Sequence, residues 1–229
     1  MEDMASSEAY DPGRYDRPSV TVDIVVLGIM DGRPVVLLTR RRQSPFAGRW
    51  TLPGGFVGID EALEAAARRV LADKGGLVGP VPEQVHCFGA VDRDPRMRIV
   101  SIAHRVLLTP AELAALTLDA GQRLATIDVT GAVRIDGDTI ALGFDHAAIV
   151  ALTLDRLRGG IDDAAFALLP DRFTLRDLQG VQEAVLGRAL NKPAFRRRML
   201  DSGRITPTGD REAGTAFRPA AFYTRTIKD

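Results

Sequence analysis

Two consecutive glycines, Gly159-Gly160, stop a helical pattern and separate two kinds of sequence, so the chain reads as two units. Before them, strand patterns alternate with helices. Ser19 to Met30 carries Val20, Val22, Ile24, Val25 and Val26, and Asp31-Gly32 turns this strand into a partner from Pro34 to Thr39. His86 to Asp92 and Arg98 to Leu108 read as two further strands. Between the pairs, Asp60 is the expected cap of a helix whose buried face is Leu63, Ala66, Ala67, Val70 and Leu71, ended by Gly75-Gly76. Thr109-Pro110 opens a short helix, brief strands are expected at 127–129, 134–136 and 139–142, and Asp145 caps a helix from Ala147 to Leu157. After the glycines come a short helix at 162–169, a longer one capped by Thr174, a third capped by Asn191, and strands at 205–208 and 216–224. Three helices followed by a hairpin, the last two helices tightly joined, form the winged variant of helix-turn-helix. The expected division is a tail over 1–18, a first domain over 19–158 and a second over 162–229.

The 229 residues, 45% apolar and 26% charged, suit an ordinary globular protein and exclude disorder, collagen-like repeats and a coiled-coil rod. No apolar run reaches the ~18 residues of a membrane span, and the polar segment 1–17 is neither signal nor transit peptide, so no membrane partner is expected. The lone Cys87 forms no internal disulfide and is expected as a small core residue; this fits a reducing cytoplasm. His86, His104 and His146 lack metal-ligand spacing and are given structural roles. A net charge of zero conceals a gradient. From Asp171 onward there are 12 Lys and Arg against 7 Asp and Glu, which points to a polyanion partner for the second domain.

Trp50-Thr51-Leu52-Pro53-Gly54-Gly55-Phe56 leads directly into the Asp60 helix. Paired glycines before a helix allow close backbone approach and offer free N–H groups to an anion. The spacing of Gly55, Glu61, Arg69, Leu71, Gly76 and Leu77 resembles the Nudix box, G-x5-E-x7-R-E-U-x-E-E-x-G-U. The resemblance implies an α/β/α sandwich over roughly 19–158. In Nudix hydrolases three carboxylates on one helix face bind Mg²⁺; here those positions read Val70, Asp73 and Lys74. The chain is therefore expected to have no catalytic residues, no metal site and no required cofactor.

Ligand binding can outlast the metal. Ala90-Val91-Asp92-Arg93-Asp94-Pro95-Arg96 is similar to the DRDPR segment of Nudix proteins that act on ADP-ribose. Arg93 and Arg96, with Arg40 and Arg42 flanking Arg41 after the second strand, are candidates for phosphate pairing, the alternative being ion pairs with Asp92 and Asp94. Gly54, Gly55, Phe56 and Glu61 complete the candidate site for a small nucleotide.

In Asn191-Lys192-Pro193-Ala194-Phe195-Arg196-Arg197-Arg198-Met199-Leu200, Phe195 and Met199 point inward while Lys192, Arg197 and Arg198 project away and Arg196 lies nearer the edge. Such a face suits the major groove. Phe173-Thr174-Leu175, Leu178-Gln179, Glu183 to Arg188, Phe195 to Arg197 and Arg218-Pro219-Ala220, behind a broken Nudix box, resemble the Nudix-related transcriptional regulators, the NrtR family. That resemblance implies a homodimer on an inverted-repeat operator of double-stranded DNA, repression of NAD biosynthesis or salvage genes, and sensing of ADP-ribose or a related metabolite. Thr174, Asn191, Lys192, Arg196, Arg197, Arg198 and Arg218 are the expected DNA-binding residues. The competing readings are a Nudix pyrophosphatase of ADP-ribose or NADH with a nonstandard metal site, and a nucleotide-binding protein whose winged domain contacts protein.

Overall fold

The computed structural model describes residues 11–213 and 219–226. Its first unit is built on a mixed sheet. β1 (Ser19–Met30) pairs antiparallel with β2 (Arg33–Arg40) and parallel with β6 (Ile99–Leu107), and β5 (Glu83–Phe88) lies at the edge beyond β6. β7 (Gln122–Ile127), β8 (Val133–Ile135) and β9 (Asp138–Thr139) extend the other side, while β3 (Trp50–Thr51) joins β2 and β4 (Gly54–Phe56) joins β1. Asp31 and Gly32 have φ of 50° and 69°, the left-handed pair that matches a hairpin's twist.

Alternation along the strands covers both faces. Val22, Ile24, Val26, Val35 and Leu37 pack against Ala66, Ala67, Val70 and Leu71 of α1 (Leu63–Gly75) and Leu113 of α2 (Pro110–Ala114). Val25, Leu27, Val36 and Leu38 face the other way, toward Ile149, Val150, Leu154 and Leu157 of α3 (His146–Gly159). The result is the α/β/α sandwich that the resemblance implied, each fully buried Val or Leu contributing about 1.5–3 kcal/mol.

The second unit begins with α4 (Ile161–Ala164) and a 3₁₀ turn at Ala165–Leu168. β10 (Phe173–Thr174), α5 (Leu175–Leu186), α6 (Lys192–Asp201), β11 (Ile205–Arg211) and β12 (Ala221–Arg225) follow, the strands ordered β10-β12-β11. This is a winged helix. Its apolar interior is continuous with the sandwich: the cluster under α3 runs on through Ile161, Phe166, Phe173, Leu178, Val185, Phe195 and Met199. Arg158 reinforces that contact by donating to the Val185 carbonyl and to the Val129 carbonyl, both at 2.9 Å.

Several local expectations shift. Ala62, not Asp60, precedes α1, and no side chain caps it. Asp145 occupies the cap position of α3 but spends its carboxylate on Arg93 instead. β5 ends at Phe88, four residues before Asp92, and the following loop carries Arg93 into its ion pair with Asp145. Cys87 is exposed on that edge strand and is not a core residue. A 3₁₀ turn at Pro12–Arg14, under the Asp11 carboxylate, occupies part of the expected tail; its first ten residues lie outside the described residues.

Candidate ligand cavity and nucleic-acid interface

A cavity of about 590 Å³ opens between β2, β4, the C-terminal turn of α1 and the loop that carries Arg93 to Arg96. Its floor is a buried polar network seeded by Asp23, the one carboxylate in an otherwise apolar stretch of β1. The Ser101 hydroxyl donates to Asp23 at 2.5 Å, the Arg93 guanidinium lies 3.4 Å from it, and His146 Nε2 lies 3.5 Å away. Arg93 also donates to both oxygens of Asp145, at 2.9 and 2.7 Å. The Leu52 N–H donates to His146 Nδ1 at 2.8 Å, which places the imidazole proton on Nε2, facing Asp23. Burial holds His146 below its ordinary pKa, so it is neutral in this setting.

Arg93 thus has its charge satisfied inside the protein, with 4% of its side chain exposed. It builds the site and is no longer a free phosphate anchor. Arg96 donates twice to Asp94, at 2.9 and 2.7 Å, and keeps 40% of its side chain exposed, with no partner for Nη1 among the described residues. The ion-pair alternative raised from sequence therefore applies to both, with Asp145 and Asp23 as the partners of Arg93. Arg40, Arg41 and Arg42 all line the cavity. Arg41 is the best positioned: it donates to the Pro45 and Ser44 carbonyls, and its guanidinium lies 4.9 Å from the centroid of the Phe144 ring. Burial, then the neighbouring Arg96, lowers its pKa. Phe144 has φ 56°, a left-handed backbone that is uncommon for a bulky residue and that turns its ring to the cavity wall.

The paired glycines both line the cavity, and the close backbone approach they allow is to Asp23 and Val70. Gly54 and Gly55 lie in β4, opposite Asp23 and Val22. A Cβ at Gly54 would overlap the Asp23 carboxylate, and one at Gly55 would come within 2.8 Å of Val70 Cγ2. Close packing requires them, and the cavity adjoins the C-terminal turn of α1 through Asp73 and Lys74. Phe56 stands half exposed at the rim. Glu61 is outside the lining: Arg69 donates to it twice at 2.7 Å and Gly58 N–H at 3.0 Å, which push its pKa down to about 2. It fastens the loop before α1.

The residues present do not fit the divalent cation of a Nudix hydrolase. Val70 is buried beneath Gly55, Lys74 projects an ammonium whose Nζ donates to the Gly54 carbonyl, and Asp73 alone keeps a carboxylate on that face. A hard dication needs several oxygen ligands. After the internal pairs of Arg93 and Arg96 are set aside, the lining presents Arg40, Arg41, Arg42 and Lys74 against Asp73 and Asp119. The balance of charge in the lining is positive.

On the second unit, Lys192, Arg196 and Arg197 of α6 are exposed and carry no ion pair among the described residues, while Phe195 and Met199 are buried. Arg198 departs from the expectation. Its Nη1 donates to Asp162 and its Nη2 to Gln182, so it fastens α6 to α4 and α5 in place of facing a groove. Thr174 is a second correction. It is 1% exposed and its hydroxyl forms a capping box with Asp177, which leaves nothing to offer DNA. Asn191 Oδ1 accepts from the Ala194 N–H at 3.0 Å as the cap of α6. Arg218 lies outside the described residues.

Lys74, Asp23, Arg41, Phe144 and His146 are the site residues that the sequence reading left out of its ligand set. A lone carboxylate within a β-branched strand was the available signal for Asp23.

A model of the NUDIX domain matches residues 17–124, and a model of the NrtR DNA-binding winged helix domain matches residues 165–224. The chain is 33% identical over 224 residues to a protein named ADPR responsive transcriptional repressor NtrR from Acinetobacter baylyi, covering 96% of this chain and 87% of that one. It is 32% identical over 136 residues to an ADP-ribose pyrophosphatase from Methanocaldococcus jannaschii, covering 59% of this chain and 73% of that one. The crystal structure of Shewanella oneidensis NrtR complexed with a 27mer DNA is similar at 30% identity and a TM-score of 0.71, covering 90% of this chain and 93% of that one. With both halves matched in order and likeness extending along nearly its whole length, the chain belongs to the NrtR family of Nudix-related transcriptional regulators.

Proposed function

We propose that this protein is a DNA-binding transcriptional repressor whose Nudix-like half senses ADP-ribose, or a related NAD metabolite, without turning it over. One observation carries the reading. A cavity with unpaired cations and no metal-ligand face is joined, through a continuous apolar core and Arg158, to a winged helix that presents Arg196 and Arg197 bare. A diphosphate suits the arginines and Lys74, and the half-exposed Phe56 offers a ring face to a base. The name of the Acinetobacter baylyi relative favours the same effector, and the Shewanella oneidensis complex favours DNA as the partner. Genes of NAD synthesis or salvage are the targets that the family resemblance suggests, and the cytoplasm is where that DNA would be met. A single winged helix reads few base pairs, so a homodimer on an inverted repeat supplies the missing specificity. No helix among the described residues is long and apolar enough to cross a membrane.

The pyrophosphatase from Methanocaldococcus jannaschii keeps one second reading in view, a hydrolase with a nonstandard metal site. Val70 and Lys74 weigh against it. The deciding experiment isolates genomic fragments bound by the purified protein, then titrates ADP-ribose and NAD into the complexes while assaying turnover with Mg²⁺ or Mn²⁺. Sequence-specific, salt-sensitive binding that ADP-ribose alters, with turnover no faster than that of Glu61→Gln, is expected. Robust hydrolysis with no DNA binding overturns the proposal.

A further inference from the structure

Lys74 occupies the third position of the helix face that carries metal-binding carboxylates in Nudix hydrolases, and its ammonium enters the cavity beside Gly54 and Asp73. One of its three N–H donors is spent on the Gly54 carbonyl, leaving two free. That carbonyl belongs to β4, which Asp23 and Val70 hold against β1 by close contact, so the ammonium is anchored to a rigid strand. Arg41 is near enough to repel it, and loss of surrounding water together with that repulsion lowers the Lys74 pKa. Two cations held near one another in a partly dry cavity gain when an anion enters between them. The Nudix metal ordinarily supplies such a charge to a diphosphate; here α1 supplies it covalently.

We infer that the Lys74 ammonium stands in for the divalent cation and, with the neighbouring Arg41, forms a metal-free diphosphate clamp. The inference rests on the nucleotide-sensing reading above and deepens it by naming how the ligand is held. It also separates capture from hydrolysis. An ammonium neutralises phosphate oxygens and donates hydrogen bonds, but it neither binds water as a ligand nor lowers its pKa as a metal does.

The test is calorimetric titration of ADP-ribose into the full chain, first with EDTA and then with saturating Mg²⁺. The parent is expected to bind equally well in both. Lys74→Gln should weaken binding roughly tenfold or more in both, the loss of charge-assisted contacts to phosphate, and Lys74→Arg should retain most of the affinity. A requirement for Mg²⁺ overturns the inference, as does parent-like binding by a Lys74→Gln protein that melts at the parent temperature. Should ADP-ribose fail to bind the parent at all, inorganic pyrophosphate in EDTA separates the two ideas. Pyrophosphate binding that Lys74→Gln weakens supports the clamp and discards ADP-ribose as the ligand. Absence of pyrophosphate binding discards the clamp.

Discussion

Arg198, on the basic helix α6, is gripped by Asp162 on the helix joining the two units: Nη1 lies 2.6 and 2.8 Å from the two carboxylate oxygens. Nη2 donates to Gln182 Oε1 at 2.9 Å, and the same Asp162 holds Arg204 at 3.2 Å, just before β11. The orientation of α6 is therefore fixed by charge as well as by Phe195 and Met199. The three arginines of this helix divide into two free and one committed.

That division predicts different outcomes for neighbouring substitutions. Arg197→Ala should weaken operator binding with the melting temperature unchanged, reducing the salt slope by about 1 if it holds a phosphate, or costing about 1–3 kcal/mol at one base if it reads an edge. Arg198→Ala should instead lower stability, by less than about 1 kcal/mol because the pair is partly exposed, and be non-additive with Asp162→Ala. Unchanged melting of Arg198→Ala with a flattened salt slope would return Arg198 to the DNA surface.

Arg93 should tolerate truncation poorly. Asp23 is buried; Ser101 and neutral His146 beside it bring no full charge, and Lys74 across the cavity interacts with it without an ion-pair contact. Arg93→Ala strands that carboxylate, at about 3–5 kcal/mol, whereas Asp145→Asn costs less because Asp145 reaches solvent. Urea midpoints of the two variants check this; an Arg93→Ala protein as stable as the parent would deny the network its structural role.

How legible was this site from sequence? The winged helix followed from helix caps and periodicity, which are local properties, whereas the sandwich and the loss of the metal face followed from the resemblance to the Nudix box, with residues 70, 73 and 74 as its departures. The arginines were legible as charges but not as commitments. Arg93 and Arg198 pair with Asp145 and Asp162, residues 52 and 36 positions away, and only the tertiary fold decides which cation is consumed. Thr174 and Asn191 show the same limit: residue type marked them as caps, and capping is what their oxygens do. Cys87 fell on the exposed side because β5 is an edge strand, a fact that spacing alone does not contain.

The two buried histidines predict a pH response. Burial lowers the pKa of His104, which faces the Ile102 carbonyl and Glu64, and of His146, which faces Asp23, Asp145, Arg93 and Arg41. The unfolded chain takes up protons as pH falls through about 6.5 while the folded chain resists, so stability should decline below about pH 6.5 and level off above it. Asp128 and Glu61, both pushed down to about 2, lose their contributions in a separate and lower window, from the usual carboxylate range downward. Urea midpoints between about pH 7.5 and about pH 5.5 test the first window, and His104→Gln should remove part of the slope. A flat profile would mean the imidazoles titrate alike in both states.

Gly187 ends α5 with φ 67°, and a Cβ there would overlap Val129 of the first unit. Gly187→Ala should destabilise by more than about 1 kcal/mol, from the left-handed backbone and from the clash together. Val129→Ala in the same chain should restore the portion that is clash. No rescue by Val129→Ala would assign the whole cost to backbone conformation and remove this contact from the interface.

Arg158 offers the sharpest test of how the units communicate. It leaves α3 to donate to a carbonyl on α5 and to one in the 128–132 turn, touching neither the cavity nor the exposed face of α6. If ADP-ribose and operator DNA are coupled, each must change the other's affinity by the same factor, since the coupling is one free energy shared by two sites. That factor requires the ligand to prefer one arrangement of the winged helix against the sandwich, and Arg158 is a bond whose geometry differs whenever that arrangement does. Arg158→Ala should therefore leave the separate affinities for ADP-ribose and DNA within a few fold of the parent, while drawing the coupling factor toward one. Both arms are measurable: DNA affinity at zero and saturating ADP-ribose, and ADP-ribose affinity with and without operator. Equal factors in the two arms of the parent, and a common smaller factor in the variant, would place the signal at this junction. An unchanged factor in Arg158→Ala would leave the apolar core through Leu157, Ile161 and Val185 as the remaining route between the two units.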